Sequence, residues 1–175
     1  MRNFIQNASK YHNYINTIFT NQQQPLTDWN EELPICAGLN FTQLRGIEEL
    51  IIGDKSFNES CDDLSLMKMN LSKFQRLKRI EIGNECFKHV RGFVIDYLLN
   101  LESVKIGKEC FKIDYKKRDD GLCRITNCPT LRQLEIGNKS FVDFKSFELS
   151  NVNSLQSIKF GISNFKFSDF SLKGK

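Results

Sequence analysis

Large apolar residues recur along most of this chain in fixed columns. One phrase appears five times: IIGDKSF at 51–57, EIGNECF at 81–87, KIGKECF at 105–111, EIGNKSF at 135–141 and KFGISNF at 159–165. Its glycines, Gly53, Gly83, Gly107, Gly137 and Gly161, are spaced by 30, 24, 30 and 24 residues. Upstream of each glycine stand five further apolar columns. The one nearest a shared leucine holds Ile47, Leu77, Leu101, Leu131 and Leu155; the next holds Leu50, Ile80, Val104, Leu134 and Ile158. Earlier columns hold Leu44, Phe74, Leu98, Cys128 and Val152, then Phe41, Leu71, Ile95, Ile125 and Leu149, then Leu39, Met69, Phe93, Cys123 and Phe147. The unit reads Φ-x-Φ-x-x-Φ-x-x-L-x-x-Φ-x-I-G-x-x-[S/C]-F, where Φ is apolar.

A unit this short cannot enclose a core alone, but stacked units can. The Φ-x-I stretch alternates as a strand with one buried face does. The same strand in successive units then forms a parallel sheet with rungs ~4.8 Å apart. The upstream Φ-x-Φ pair, as in Phe93-Val94-Ile95 and Phe147-Glu148-Leu149, predicts a second short strand on the opposite wall. The glycine is expected to permit the corner after the first strand. Six extra residues enter alternate units after the closing Phe, at 58–68 and 112–122, and predict loops on one edge.

The L-x-x-Φ-x-I core resembles the strand of leucine-rich repeats, and the added I-G-x-x-[S/C]-F, as in IGNECF and IGKECF, is similar to the element of BspA-like repeats. The resemblance covers about 39–172. It departs from the common leucine-rich pattern in lacking an asparagine ladder after the strand. It implies a curved solenoid used for recognition and identifies no ligand.

The expected fold is therefore a β-rich repeat solenoid of leucine-rich type, with a parallel sheet, a short second strand per coil and a helical N-terminal cap. Residues 1–38 hold that cap: Phe4, Ala8, Tyr11, Ile15 and Ile18 have helical spacing, QQQP at 22–25 reads as a linker, and Trp29 plugs the end. Residues 39–165 carry the five repeats, and 166–175 form an incomplete repeat or C-terminal cap, begun by Phe170-Ser171-Leu172. Open solenoid ends expose apolar columns and strand edges, which is why caps are expected.

Composition adds little: the 175 residues are 40% hydrophobic and 26% charged, with 25 basic against 21 acidic side chains. No stretch approaches the ~20 apolar residues that cross a bilayer. The N-terminal MRNFIQNASKYHNY has no apolar core or small-residue cleavage site, so a complete chain stays in the cytoplasm and its six cysteines are free thiols.

Candidate chemistry points away from catalysis. Cys86 and Cys110 share a column with Ser56 and Ser140, which asks for a small, weakly polar, buried residue; Cys123 and Cys128 stand in apolar columns. Cys123 and Cys128 lack zinc spacing and a histidine pair, so no metal is expected. Cys86 stands three residues from His89 but belongs to the core column, where thiols are inert. No phosphate loop, dinucleotide fingerprint or nucleophile elbow occurs, and no cofactor is expected.

The outward strand positions are more informative. Ile51, Glu81, Lys105, Glu135 and Lys159 form one column; Glu48, Lys78, Glu102, Arg132 and Gln156 form another. Both mostly alternate in sign, so stacked neighbours form charge ladders, each pair contributing ~0.2–1 kcal/mol. One reading is a solvated face; the other is a surface recognised by another protein. Nucleic acid requires a continuous positive stripe, which this face lacks. The remaining candidate is the basic insert 112–120, with Lys116, Lys117 and Arg118 beside Tyr115; its counterpart at 58–63, NESCDD, is acidic. The expected function is a non-catalytic protein-interaction module. The alternatives are a structural or truncated repeat product without a partner, and an RNA- or phosphate-binding surface at the basic insert.

Overall fold

Each repeat contributes two strands because its apolar residues alternate twice, once before and once after the conserved leucine. The computed structural model describes residues 48–58, 68–112, 121–165 and 169–173. The first set of strands comprises β1 (Glu49–Ile52), β3 (Arg79–Ile82), β5 (Ser103–Ile106), β7 (Gln133–Ile136) and β9 (Ser157–Phe160). The second comprises β2 (Lys68–Asn70), β4 (Gly92–Asp96), β6 (Leu122–Thr126), β8 (Ser146–Ser150) and β10 (Asp169–Lys173). The chain thus alternates strictly between two five-stranded sheets, ordered β1-β3-β5-β7-β9 and β10-β8-β6-β4-β2. Every pairing is parallel. Among the described residues there is no α-helix. The expected N-terminal helix, Trp29 and the first-unit columns at Leu39, Phe41, Leu44 and Ile47 lie outside them.

Register follows the sequence columns. Leu50, Ile80, Val104, Leu134 and Ile158 are partners across the first sheet, as are Ile52, Ile82, Ile106, Ile136 and Phe160. In the second sheet Met69, Phe93, Cys123, Phe147 and Phe170 align, and Ile95, Ile125, Leu149 and Leu172 align beside them. Residues 170–172 therefore continue the second sheet in phase. Before β3, β5, β7 and β9 the leucine closes the same tight turn: Leu77 donates to the Phe74 carbonyl at 3.0 Å, Leu101 to Leu98 at 3.3 Å, Leu131 to Cys128 at 3.2 Å and Leu155 to Val152 at 3.1 Å. The extra residues of the long units enter between the closing Phe and the second sheet: β2 and β6 begin eleven residues after Phe57 and Phe111, whereas β4 and β8 begin five after Phe87 and Phe141.

The interior between the sheets is one continuous apolar row per column. Its spine is a stack of five phenylalanine rings. Phe57, Phe87, Phe111, Phe141 and Phe165 lie face to face with centroids 5.0, 5.0, 4.6 and 5.1 Å apart and planes within 13°. Phe144 meets Phe111 and Phe141 edge-on. Ring contacts of this kind contribute ~0.5–1.5 kcal/mol each beyond the area they bury.

Two expectations about the corner after the first sheet are corrected. No described glycine has positive φ. The left-handed residues come two and four places later instead: Lys55, Glu85, Glu109, Lys139 and Ser163, then the five stacked phenylalanines, with φ of 49–59°. The glycine is needed for close approach. A Cβ on Gly107 would stand 2.5 Å from the Gly83 carbonyl oxygen, and one on Gly137 2.6 Å from the Gly107 carbonyl carbon. Gly83, Gly107, Gly137 and Gly161 each pack on the backbone of the preceding repeat, so no side chain fits there.

The second correction concerns asparagine. A partial ladder does follow the first sheet, one place after the glycine. Asp54 Oδ1 accepts the Asn84 N–H at 2.7 Å, Asn84 Oδ1 accepts the Lys108 N–H at 3.1 Å, and Asn138 Oδ1 accepts the Ile162 N–H at 3.0 Å. Asp and Asn serve alike because both accept through a side-chain oxygen, Asn84 Nδ2 also donates to the Asp54 carboxylate at 3.2 and 3.3 Å, and the ladder breaks where Lys108 stands. A second ladder follows the other sheet: Asn127 donates to Asp96 at 2.8 Å and Asn151 to Asn127 at 2.7 Å.

Gly107→Ala should therefore lower unfolding free energy by about 1–3 kcal/mol, the usual cost of overpacking. Gly53→Ala, whose added Cβ meets no described residue within 4 Å, should be neutral or slightly stabilising. Urea midpoints of the two variants against the parent chain measure the difference.

Candidate protein-interaction surface

In a β-strand with one buried face, the intervening side chains all point the other way. The outer face of the first sheet is built in this manner. Ile51, Glu81, Lys105, Glu135 and Lys159 are in-register partners, one per strand. The neighbouring column is aligned by backbone bonds from rung to rung: Lys78 N–H donates to the Glu48 carbonyl at 2.7 Å, Glu102 to Lys78 at 2.8 Å, Arg132 to Glu102 at 2.8 Å and Gln156 to Arg132 at 2.9 Å.

The face carries an open concavity of about 380 Å³, lined by Arg79, Glu81, Ser103, Lys105, Gln133, Glu135, Ser157 and Lys159 among others. Four of these, Arg79, Ser103, Gln133 and Ser157, were not singled out from sequence. Each stands two residues before a member of the charged column, so strand alternation alone puts it on the same face.

Charge pairing is uneven along this surface. Glu48 accepts from Lys78 Nζ at 2.8 Å and Arg76 at 3.1 Å, and these two cations, Lys78 foremost, hold its carboxyl below the usual range. Glu81 contacts Arg79 within its own strand and Lys105 across at 3.8 Å. Glu135 and Lys159 are in register, yet neither forms an ion pair with a described residue. Exposed pairs of this kind contribute little, typically about 0–1 kcal/mol. The N-terminal half of the face is thus internally paired, and the C-terminal half offers free charge.

Lys116, Lys117, Arg118 and Tyr115 lie outside the described residues, as do residues 59–63 of the acidic insert.

The cysteines take up core positions. Cys86, Cys110, Cys123 and Cys128 are buried free thiols. Cys86 Sγ donates to the Gly53 carbonyl at 3.1 Å and Cys110 Sγ to the Gly83 carbonyl at 3.0 Å. Ser140 Oγ makes the matching bond to the Gly107 carbonyl at 2.8 Å. Ser and Cys interchange in this column because each places one small donor against a glycine carbonyl, that of the preceding repeat for Cys86, Cys110 and Ser140 and that of its own repeat, Gly53 at 2.6 Å, for Ser56. At Asn164 the longer side chain reaches the Ile136 carbonyl instead, at 3.2 Å. The adjacent Cys86 thiol and burial push the Cys110 thiol far up; burial alone raises Cys123, and burial together with the Asp96 charge lifts Cys128 from 9.0 to about 11. Among the described residues no group of three or more metal-ligating side chains occurs. No described helix is long and apolar enough to cross a membrane.

The hydrogen bond with Cys110 lowers Cys86, while Cys110, Cys123 and Cys128 favour their protonated form more strongly when folded than when unfolded. The contribution of Cys128 is complete below the unfolded value near 9.0 and is lost as pH rises from there towards about 11. Unfolding free energy should accordingly decline across that window, and Cys128→Ala should flatten part of the decline. In the native protein at pH 8, iodoacetamide should leave all four thiols unmodified, as mass spectrometry of digests would read.

Compared with known proteins, the chain matches no family model, no curated protein and no solved structure.

Proposed function

We propose that this chain is a non-catalytic recognition module of leucine-rich-repeat type, a solenoid similar to BspA-like repeats, which binds another protein on the outer face of its first sheet. The observation that carries the reading is the concavity lined by in-register charged columns, with Lys105, Glu135 and Lys159 presented rung by rung. Rigid strands fix those side chains in a row ~4.8 Å apart, so a partner meets preset charge rather than a mobile loop. The free charges of the C-terminal half ask for complementary charge on the partner. Alternating sign suits a polar, mixed-charge surface and sets like charges against a polyphosphate backbone. The buried, hard-to-ionise thiols suit packing rather than nucleophilic chemistry. Four free thiols in the core also fit a reducing, cytoplasmic setting.

Affinity capture from native lysate tests the assignment, comparing the parent chain with Glu81→Lys/Glu135→Lys and with Lys116→Glu/Lys117→Glu, each verified as folded by circular dichroism. A specific protein lost by the first pair and retained by the second is the expected result. Loss by the second pair alone, or no specific protein with the parent chain, overturns it. Capture of nucleic acid that weakens steeply with salt would instead favour the basic insert.

A further inference from the structure

Four large apolar side chains are exposed at one end of the molecule, Phe160 while also in ring contact with Phe147 and Phe165. Ile158, Phe160, Ile162 and Leu172 are 44, 38, 70 and 58% exposed. Three of them occupy columns whose earlier members are buried: Leu134 and Ile136, the rung below Ile158 and Phe160, are each 1% exposed, and Leu149, below Leu172, is 3% exposed. The apolar interior therefore runs out through this end. Among the described residues β9 pairs only with β7, and β10 only with β8, so no described strand lies beside the outer edge of either. Open, apolar strand edges favour pairing with another strand.

The end is also stepped. The second sheet extends one rung further than the first, because β10 follows β8 while nothing described follows β9. We propose that two copies of this chain join end to end about a two-fold axis that exchanges the two sheets. The projecting β10 of one copy fills the missing rung beside β9 of the other, and the reverse contact forms by symmetry. A closed isologous dimer of this kind satisfies both open edges at once. The opposite arrangement, β9 on β9, would drive the two projecting β10 strands into the same rung.

The chain runs along one wall and returns along the other, so β10 of the second copy lies antiparallel to β9. The register that keeps apolar residues inside sets Ile158 opposite Leu172 of the second copy. It places Lys159 opposite Ser171 on the outer face, with no like charges opposed. The two apolar interiors then become one.

Light scattering coupled to size exclusion tests this at about 100 μM, well above the micromolar Kd of a modest interface. The expected mass is twice the 20.4 kDa of one chain. Ile158→Lys/Ile162→Glu, at exposed positions, should be monomeric with unchanged circular dichroism. Orientation is read by cysteine pairs. Lys159→Cys/Ser171→Cys should form a covalent dimer on mild oxidation, while Lys159→Cys alone should not. A monomeric parent chain, a dimer indifferent to the charged variant, open-ended oligomers, or efficient crosslinking by Lys159→Cys alone would each overturn the proposal.

Discussion

The backbone-to-backbone contact at the glycine corner sets the spacing on which the rest of this structure depends. Gly83, Gly107 and Gly137 each lie so close to the preceding repeat that no side chain could intervene. That contact brings successive turns of chain to the distance at which parallel strands pair, phenylalanine rings stack and Asp54 or Asn84 reaches the next backbone N–H. The left-handed residues two and four places later make the turn that this closeness requires. They cost conformational energy, of order 1 kcal/mol each. Their amides are satisfied between repeats in both directions: Glu85 donates forward to the Lys108 carbonyl at 2.8 Å, and Phe87 back to the Ser56 carbonyl at 3.0 Å. Burial of the phenylalanine side chain at the second of these positions offsets the strain there.

The long-range order was legible in the sequence because it is written in residue types that have no alternative. Apolar residues at fixed spacing report burial directly, so every strand register among the described residues agrees with the columns. The interchange of Ser and Cys marked a small buried donor, and Ser140, Cys86 and Cys110 all bond a glycine carbonyl. The corners were less legible. A glycine read in isolation suggests conformational freedom, whereas here its lack of a side chain matters. Left-handed backbone fell on Lys, Glu and Phe, residues that carry no sequence signal for it. The asparagine ladder was overlooked because Asp54 and Asn84 share one role while Lys108 interrupts the column.

The candidate surface was half legible. Alternation placed Glu81, Lys105, Glu135 and Lys159 outward, and their signs suggested ladders. Which members pair depends on rotamers and on neighbours such as Arg76 and Arg79, so the difference between the paired N-terminal half and the free C-terminal half emerges only in three dimensions. The polar residues of the flanking column, Ser103, Gln133 and Ser157, are too ordinary to attract notice individually; position alone puts them on this face.

The alternation of long and short units has a mechanical consequence. Among the described residues each strand is bonded only to strands of adjacent repeats, so tension applied at the two ends of the stack would load its outermost rungs. Rungs peeling away singly would lengthen the tether by two alternating increments, roughly 80 and 100 Å for 24 and 30 residues at full extension. A force–extension trace would then carry the two-unit periodicity of the sequence as a pattern of unequal steps.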